Sequence, residues 1–437
     1  MPAAPRVHVL SDGRIGWAFV ARSMAGEAMT PAGGDKEHPM PHFTYLIVGA
    51  GMTGDAAVAG IREIDPIGTI GVIGDEPDRP YNRPPLTKAL WKGEPLDSVW
   101  RSAGDRGEEF LLGRRIVALD PEARRATDDR GVDYTFDKLL LATGGAPRRL
   151  PFGGDHIVYL RTLGDYRRLR ALADQHQKFA VIGGGFIGAE IAAGLAMNAK
   201  EVTVVFPEDA LGGRVFPRDL GLNLNGYFEE KGVRVLAQHA VAGVAPRGER
   251  VALEVRPAGG GAAREILVDG VVAGIGIRPN VDLAAAAGLE VDDGITVDEL
   301  MRTSHPDIFA AGDVASFPSP ALGKRVRVEH EDNANSMGRA AGRAMAGAAE
   351  PYRHLPFFYS DLFELGYEAV GEVDARLEVV ADWKTPYREG VLYYLEKGRV
   401  RGVLLWNVWG QVDAARQLIA ETGLVRAADL VGRLPGR

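Results

Sequence analysis

Two stretches of the chain repeat one pattern of apolar and polar positions. Phe43-Thr44-Tyr45-Leu46-Ile47-Val48 is a short apolar run with β-branched members, which predicts a buried strand. It feeds into Gly49-Ala50-Gly51-Met52-Thr53-Gly54 and then an alanine-rich stretch that predicts a helix through about Ile64. A second strand is predicted over Thr69-Ile70-Gly71-Val72-Ile73, and Asp75 follows it, 21 positions after Gly54. The pattern returns with the strand Phe179-Ala180-Val181-Ile182, the turn Gly183-Gly184-Gly185-Phe186-Ile187-Gly188 and a helix from Ala189 to about Asn198. Glu201-Val202-Thr203-Val204-Val205-Phe206 closes the second unit, and Glu208 stands 20 positions after Gly188.

Strand, glycine turn, helix, strand and acid make up the dinucleotide-binding fingerprint. One glycine hexapeptide alone is a weak signal, whereas two copies in full context are specific. Gly49 and Gly183 make the turn, Gly51 and Gly185 admit a pyrophosphate to the backbone, and Gly54 and Gly188 let helix and strand approach. The helices, opened by Met52 and Thr53 and by Phe186 and Ile187, offer unpaired N–H groups and a partial positive charge to phosphates. Asp75 and Glu208 accept hydrogen bonds from ribose hydroxyls, and Glu208 would repel a 2′-phosphate, so NADH is expected over NADPH. Arg214 lies close enough in sequence to soften that preference. Gly276 joins the second set. Two bound dinucleotides are expected.

Two other strands run into small-residue turns that let the chain pass close to a cofactor. Lys138-Leu139-Leu140-Leu141-Ala142 ends in Thr143-Gly144-Gly145, and Asp307-Ile308-Phe309-Ala310-Ala311 ends in Gly312-Asp313-Val314. Asp313 is expected as an exposed carboxylate on a ribityl hydroxyl. A helix N-cap or turn aspartate is the other reading.

Composition narrows the chemistry. At roughly 100–200 residues per domain, the 437 residues suggest about three domains. Cysteine is absent, which excludes disulfides, thiolate zinc sites, cysteine-ligated clusters and a cysteine nucleophile. Redox chemistry must then rest on a bound organic cofactor or a partner, and no metal site is expected. A net charge of −8 argues against nucleic acid as a partner. No run approaches the roughly 18 apolar residues of a membrane span. Residues 1–42, with Pro31-Ala32-Gly33-Gly34-Asp35 among them, read as a flexible extension or as an overlong start ahead of Met40. With no basic start and sustained apolar run to mark a signal peptide, the cytoplasm is the expected compartment.

Beyond the two fingerprints, several segments carry a family resemblance. They are Tyr81-Asn82-Arg83-Pro84-Pro85-Leu86-Thr87-Lys88-Ala89-Leu90-Trp91, Gly183–Glu190, Val328-Glu329-His330-Glu331-Asp332-Asn333-Ala334 and Ser360-Asp361-Leu362. Gly366-Tyr367-Glu368-Ala369-Val370-Gly371 and Val403-Leu404-Leu405-Trp406-Asn407 follow. From about Phe43 to beyond Arg416 the chain resembles the flavoprotein reductases with two nucleotide domains, and within them apoptosis-inducing factor and its bacterial relatives. The resemblance implies an α/β fold: two Rossmann-like dinucleotide-binding domains, for FAD and NADH, plus a C-terminal α/β domain. The implied FAD domain spans 43–150 and 280–352, the NADH domain 151–279 and the C-terminal domain 353–437, with strands such as Gly390–Glu396 and Arg399–Trp406.

The same resemblance assigns roles. Lys88 lies by flavin N5 and pairs with Glu190; an ordinary helix-start carboxylate is the other reading of Glu190. Phe186 covers the nicotinamide entry, or else is plain core. His330, with Glu329 before it, opens a helix running to about Met345 that points at the flavin, or else is a structural histidine. Arg83, Asp75, Arg161, Thr143, Gly144 and Asp313 complete the FAD set. Relatives of the animal type carry more histidine near His330 and a tryptophan where this chain has Tyr359, which puts stacking in a long-lived reduced complex in doubt.

Two functions stand. One is an FAD-dependent NADH oxidoreductase passing electrons to ferredoxin, rubredoxin, a quinone or another acceptor. The other is a redox-sensing interaction protein whose NADH-bound state controls partner binding or dimerisation, so a homodimer is among the expected partners.

Overall fold

The computed structural model describes residues 40–434. The expected extension thus lies outside the described residues up to 39, and the first strand opens at His42. This strand, His42–Val48, pairs in parallel with Ile70–Gly74 on one side and Asp133–Leu141 on the other. Glu108–Leu112 extends the sheet at one edge; Arg125–Asp128 and Ile116–Asp120 add antiparallel strands at the other. Ile70–Gly74 is buried at every position, as suits a parallel strand covered on both faces.

The chain returns to this sheet much later. Ile308–Ala310 pairs with Asp133–Leu141, Ile308 opposite Leu139 and Ala310 opposite Leu141. The helix Glu331–Met345 then packs on the fingerprint helix Met52–Arg62. Glycines bring the two backbones together: a Cβ at Gly342 would fall 2.1 Å from the Ala57 carbonyl oxygen, and one at Gly60 2.0 Å from that of Arg339. One nucleotide fold is therefore assembled from two separated pieces of chain.

Between those pieces lies a second parallel sheet, ordered Arg234–Leu236, Glu201–Val205, Lys178–Ile182, Gly270–Ala273 and Ile157–Tyr159. A three-stranded antiparallel sheet, His239–Arg247, Arg250–Pro257 and Arg264–Val268, accompanies it. The C-terminal part is a five-stranded antiparallel sheet, ordered Phe357–Leu362, Leu365–Gly371, Arg399–Trp406, Glu389–Glu396 and Glu378–Thr385, with the helix Val412–Ala420 upon it. The alternation of inward positions gives this sheet two buried faces. Tyr367 and Trp406 stack with ring centroids 5.5 Å apart and belong to the core shared with the second nucleotide fold, through Phe216. Tyr393, Val403 and Ile419 build the core beneath the helix. Among the described residues no helix is long and apolar enough to cross a membrane.

Candidate active site

A single cleft of about 1380 Å³ runs past both glycine turns and under the edge strand Phe357–Leu362. The turns show why glycine stands at each position. Gly49 and Gly183 have φ of +122° and +111°, and a Cβ there would lie 2.1 Å from the Ala142 carbonyl oxygen and 2.4 Å from that of Gly274. Gly54 and Gly188 sit against the carbonyls of Gly49 and Gly183, at 2.1 and 2.0 Å for an added Cβ, so the helix starts could not otherwise close on their strands. The middle glycines differ. A Cβ on Gly185 would meet nothing within 4 Å, and one on Gly51 only the Arg83 guanidinium at 3.8 Å. Both helices begin at these glycines with no side-chain cap on their first N–H groups. Uncapped donors beside open space are what a pyrophosphate needs, and the residues present fit one dinucleotide at each turn.

All the other expected positions line the same cleft: Met52, Thr53, Asp75, Arg83, Lys88, Thr143, Gly144, Arg161, Asp313, Glu329 and His330 on one side, Phe186, Ile187, Glu190, Glu208 and Gly276 on the other. Gly54 and Gly188 alone among the expected residues lie behind it, as helix-packing glycines should.

Lys88 and Glu190 meet. Lys88 follows the tight turn Pro84–Leu86, and its Nζ lies 2.9 Å from Glu190 Oε1, with only 10% and 2% of the two side chains exposed. Thr87 Oγ1 donates to Glu190 Oε2 at 2.6 Å, and Ser360 Oγ donates to Oε1 at 2.6 Å. Glu190 is therefore no helix-start surface carboxylate: it lies beyond the first turn of Phe186–Met197, buried and fully partnered. Tyr359, on the edge strand, places its ring 5.1 Å from Lys88 Nζ, a cation–π distance, and donates from its hydroxyl to Glu331 at 3.4 Å.

His330 is the N-cap residue of Glu331–Met345, and its ring stacks on Phe358 at 4.3 Å. Burial drives its pKa down to about 4, with Asp313 and Asp332 pulling weakly the other way, so the ring is neutral at pH 7. Burial also raises Glu329 and Glu331 above the ordinary carboxylate range. Phe186 packs 4.8 Å from Phe358 and also lines the cleft.

One expectation needs correction. Asp313 is not an exposed carboxylate: its side chain is 12% exposed and Arg161 Nη2 holds it at 2.8 Å, in the short helical turn Gly312–Val314 that follows the returning strand Ile308–Ala310. Arg83 is likewise engaged, with Glu76 at 2.5 Å and the Arg161 carbonyl at 2.8 Å. Asp75 pairs with Arg115 at 3.0 Å in the open, and Glu208 pairs with Arg214 at 3.0 Å. Glu329 pairs with Arg327 at 2.5 Å. Thr143 and Asn280 exchange hydrogen bonds of 2.8 Å, fixing the turn that holds Gly144.

Sequence reasoning missed Thr87, Ser360, Phe358, Glu76 and Asn280. Thr87 and Ser360 stand inside segments already singled out, so position beside Lys88 was the available signal for one of them. Nothing local marks Phe358 or Asn280, whose partners are far away in sequence.

Two dinucleotide turns facing one cleft, with a buried lysine–glutamate pair between them, define a two-nucleotide oxidoreductase. The chain belongs to the pyridine nucleotide-disulphide oxidoreductase family, which it matches over residues 43–338. Residues 341–386 and 381–421 match the C-terminal domain of apoptosis-inducing factor, mitochondrion-associated. The 5,5'-dehydrodivanillate O-demethylase ferredoxin reductase subunit of Sphingobium sp. is 36% identical over 377 residues, covering 83% of this chain and 89% of its own. Mitochondrial apoptosis-inducing factor 1 of Dictyostelium discoideum is 31% identical, covering 88% of this chain and 80% of its own. Among solved structures, the covalent putidaredoxin reductase–putidaredoxin complex contains a chain of 30% identity that superposes with a TM-score of 0.81, covering 86% of this chain and 93% of that one. The resemblance read from the sequence and the mixed α/β fold with two Rossmann-type domains are thus both found.

Proposed function

We propose that this chain is an FAD-dependent NADH oxidoreductase that delivers electrons to a small electron-transfer protein of the ferredoxin kind. The observation that carries the reading is the buried Lys88–Glu190 pair, set in one cleft between two turns that each fit a dinucleotide. The ferredoxin reductase and putidaredoxin reductase named above support the acceptor class.

FAD is assigned to the turn Gly49–Gly54 with Asp75, Arg83, Arg161 and Asp313, and NADH to Gly183–Gly188 with Glu208 and Gly276. FAD, when bound, takes an electron pair from reduced nicotinamide and can release electrons singly. This chain's own residues set the stage for that exchange. The Lys88 ammonium brings positive charge to the cleft, where negative charge would otherwise be costly. Glu190 holds the ammonium in place. Neutral His330 can donate or accept a hydrogen bond without adding charge. Phe186 and Phe358 give the cleft an apolar wall beside the pair. With no cysteine in the chain, no dithiol can relay electrons.

Glu208 supports NADH over NADPH, and Arg214 on the same carboxylate limits the strength of that preference. The cytoplasm is the compartment this reading assumes.

The purified protein should be yellow and release one FAD per chain on denaturation. Anaerobic stopped-flow mixing with NADH should bleach the flavin, and a ferredoxin should then reoxidise it. A folded protein that stays colourless with added FAD, or is not bleached by NADH, would overturn the reading. The match to the apoptosis-inducing-factor C-terminal domain favours a second reading, a redox-sensing protein whose NADH-bound state alters dimerisation. A change of sedimentation coefficient on adding NADH would favour that alternative.

A further inference from the structure

We infer that Ser360 is a positioning residue for electron transfer, a hydroxyl clamp by which the C-terminal sheet sets the Lys88–Glu190 pair. The inference rests on the oxidoreductase reading and adds a residue to it. The four residues of the cluster come from three parts of the fold. Lys88 and Thr87 belong to the first nucleotide fold, Glu190 to the helix of the second, and Ser360 to the edge strand Phe357–Leu362. Ser360 is 1% exposed, Glu190 3% and Thr87 7%, so water cannot replace a lost hydroxyl at this point.

Glu190 has two oxygens and three donors. Oε2 takes the Thr87 hydroxyl; Oε1 takes both Ser360 Oγ at 2.6 Å and Lys88 Nζ at 2.9 Å. With Thr87 and Ser360 on opposite oxygens, the carboxylate cannot rotate, and Oε1 is held facing the ammonium. The edge strand is fastened beside the same segment a second time, where Asp361 accepts from Lys92 Nζ at 2.9 Å. Ser360 lies opposite Tyr367 in the sheet, and both are buried.

The test is a double-mutant cycle on the FAD-loaded full chain, with flavin reduction by NADH followed anaerobically. Ser360→Ala should retain FAD and lower the limiting reduction rate roughly tenfold. In a Glu190→Ala background, where no carboxylate remains to clamp, the same change should alter the rate less than twofold. Equal losses in both backgrounds would mean that Ser360 acts only on packing, and an unchanged rate in Ser360→Ala would remove the clamp altogether. Ser360→Cys, nearly the same size but a weak donor, should behave as Ser360→Ala and serves if the alanine variant does not fold. If wild-type protein binds no FAD or is not reduced by NADH, the oxidoreductase reading itself has failed, which these outcomes keep separate.

Discussion

Lys88 Nζ lies 2.9 Å from Glu190 Oε1, joining residues about a hundred positions apart across the boundary between two nucleotide folds. Removing one member of a buried ion pair costs about 3–5 kcal/mol when the survivor is left alone. Here Thr87 and Ser360 remain as partners for the carboxylate, so Lys88→Ala should fold and keep FAD while reducing the flavin slowly. Because the pair acts as a unit, Lys88→Ala and Glu190→Ala together should cost less than the sum of the singles. Reduction rates of the four variants decide this; additive losses would show that the contact plays no joint role.

The glycine turns separate folding from binding. Gly188→Ala drives a methyl into the Gly183 carbonyl, and overpacking of this kind costs about 1–3 kcal/mol or more. Gly185→Ala meets no protein atom and should keep the melting temperature and the FAD while weakening NADH. Thermal melts and the NADH dependence of flavin reduction check the pair. A Gly185→Ala protein with unchanged NADH affinity would place the pyrophosphate elsewhere.

The Arg214–Glu208 pair lines the cleft beside the second glycine turn, where we propose that it grades the preference between the two nicotinamides. Glu208 is 30% exposed and Arg214 85%, so the pair itself is weak and screened. Glu208→Ala loses a charge-assisted hydrogen bond to the ribose, worth about 1.5–3 kcal/mol, and leaves Arg214 free for a 2′-phosphate. NADPH should therefore gain on NADH in that variant, whereas Arg214→Ala should widen the wild-type gap. The ratio of kcat/KM for the two nucleotides measures both. Faster reduction by NADPH in the wild type would contradict the assignment.

His330 gives a pH dependence of known sign. Its pKa falls from 6.5 to about 4 in the folded chain, so between those values the unfolded chain binds more protons. Stability is lost as pH falls from about 6.5 towards 4, by roughly 3 kcal/mol at ~1.36 kcal/mol per unit. Glu329 and Glu331, both pushed up by burial, act oppositely just above their ordinary range, which makes the difference between proteins the useful quantity. Urea unfolding at pH 4.5 and 7 should show a smaller loss in His330→Gln than in wild type. Equal losses would mean that the ring titrates as it does in water.

Much of the molecule was legible in the chain itself, because it depends on neighbours within one strand, turn and helix. The runs Phe43–Val48 and Phe179–Ile182, the spacing of Gly49, Gly51 and Gly54, and Asp75 and Glu208 after their strands are local, and each appears where the periodicity placed it. The turn after each strand marks Gly49 and Gly183 locally, although the carbonyls that would meet a side chain there, of Ala142 and Gly274, come from distant segments. The absence of cysteine also belongs to the sequence alone, and it removes dithiol chemistry whatever the fold.

What local pattern could not carry is which side chains face each other after the chain has crossed between sheets. The return of Ile308–Ala310 to the first sheet buries Asp313 against Arg161, turning an expected open carboxylate into half of an ion pair. The C-terminal edge strand adds the Ser360 hydroxyl to Thr87 and Lys88 on Glu190, and stacks Phe358 on His330. These contacts depend on three folds docking, and desolvation then sets their strength, since a carboxylate and an ammonium that would be weakly coupled in water are bound tightly once water is excluded. Residue type and spacing determined what this protein could hold; burial between separated segments decided what its site residues touch.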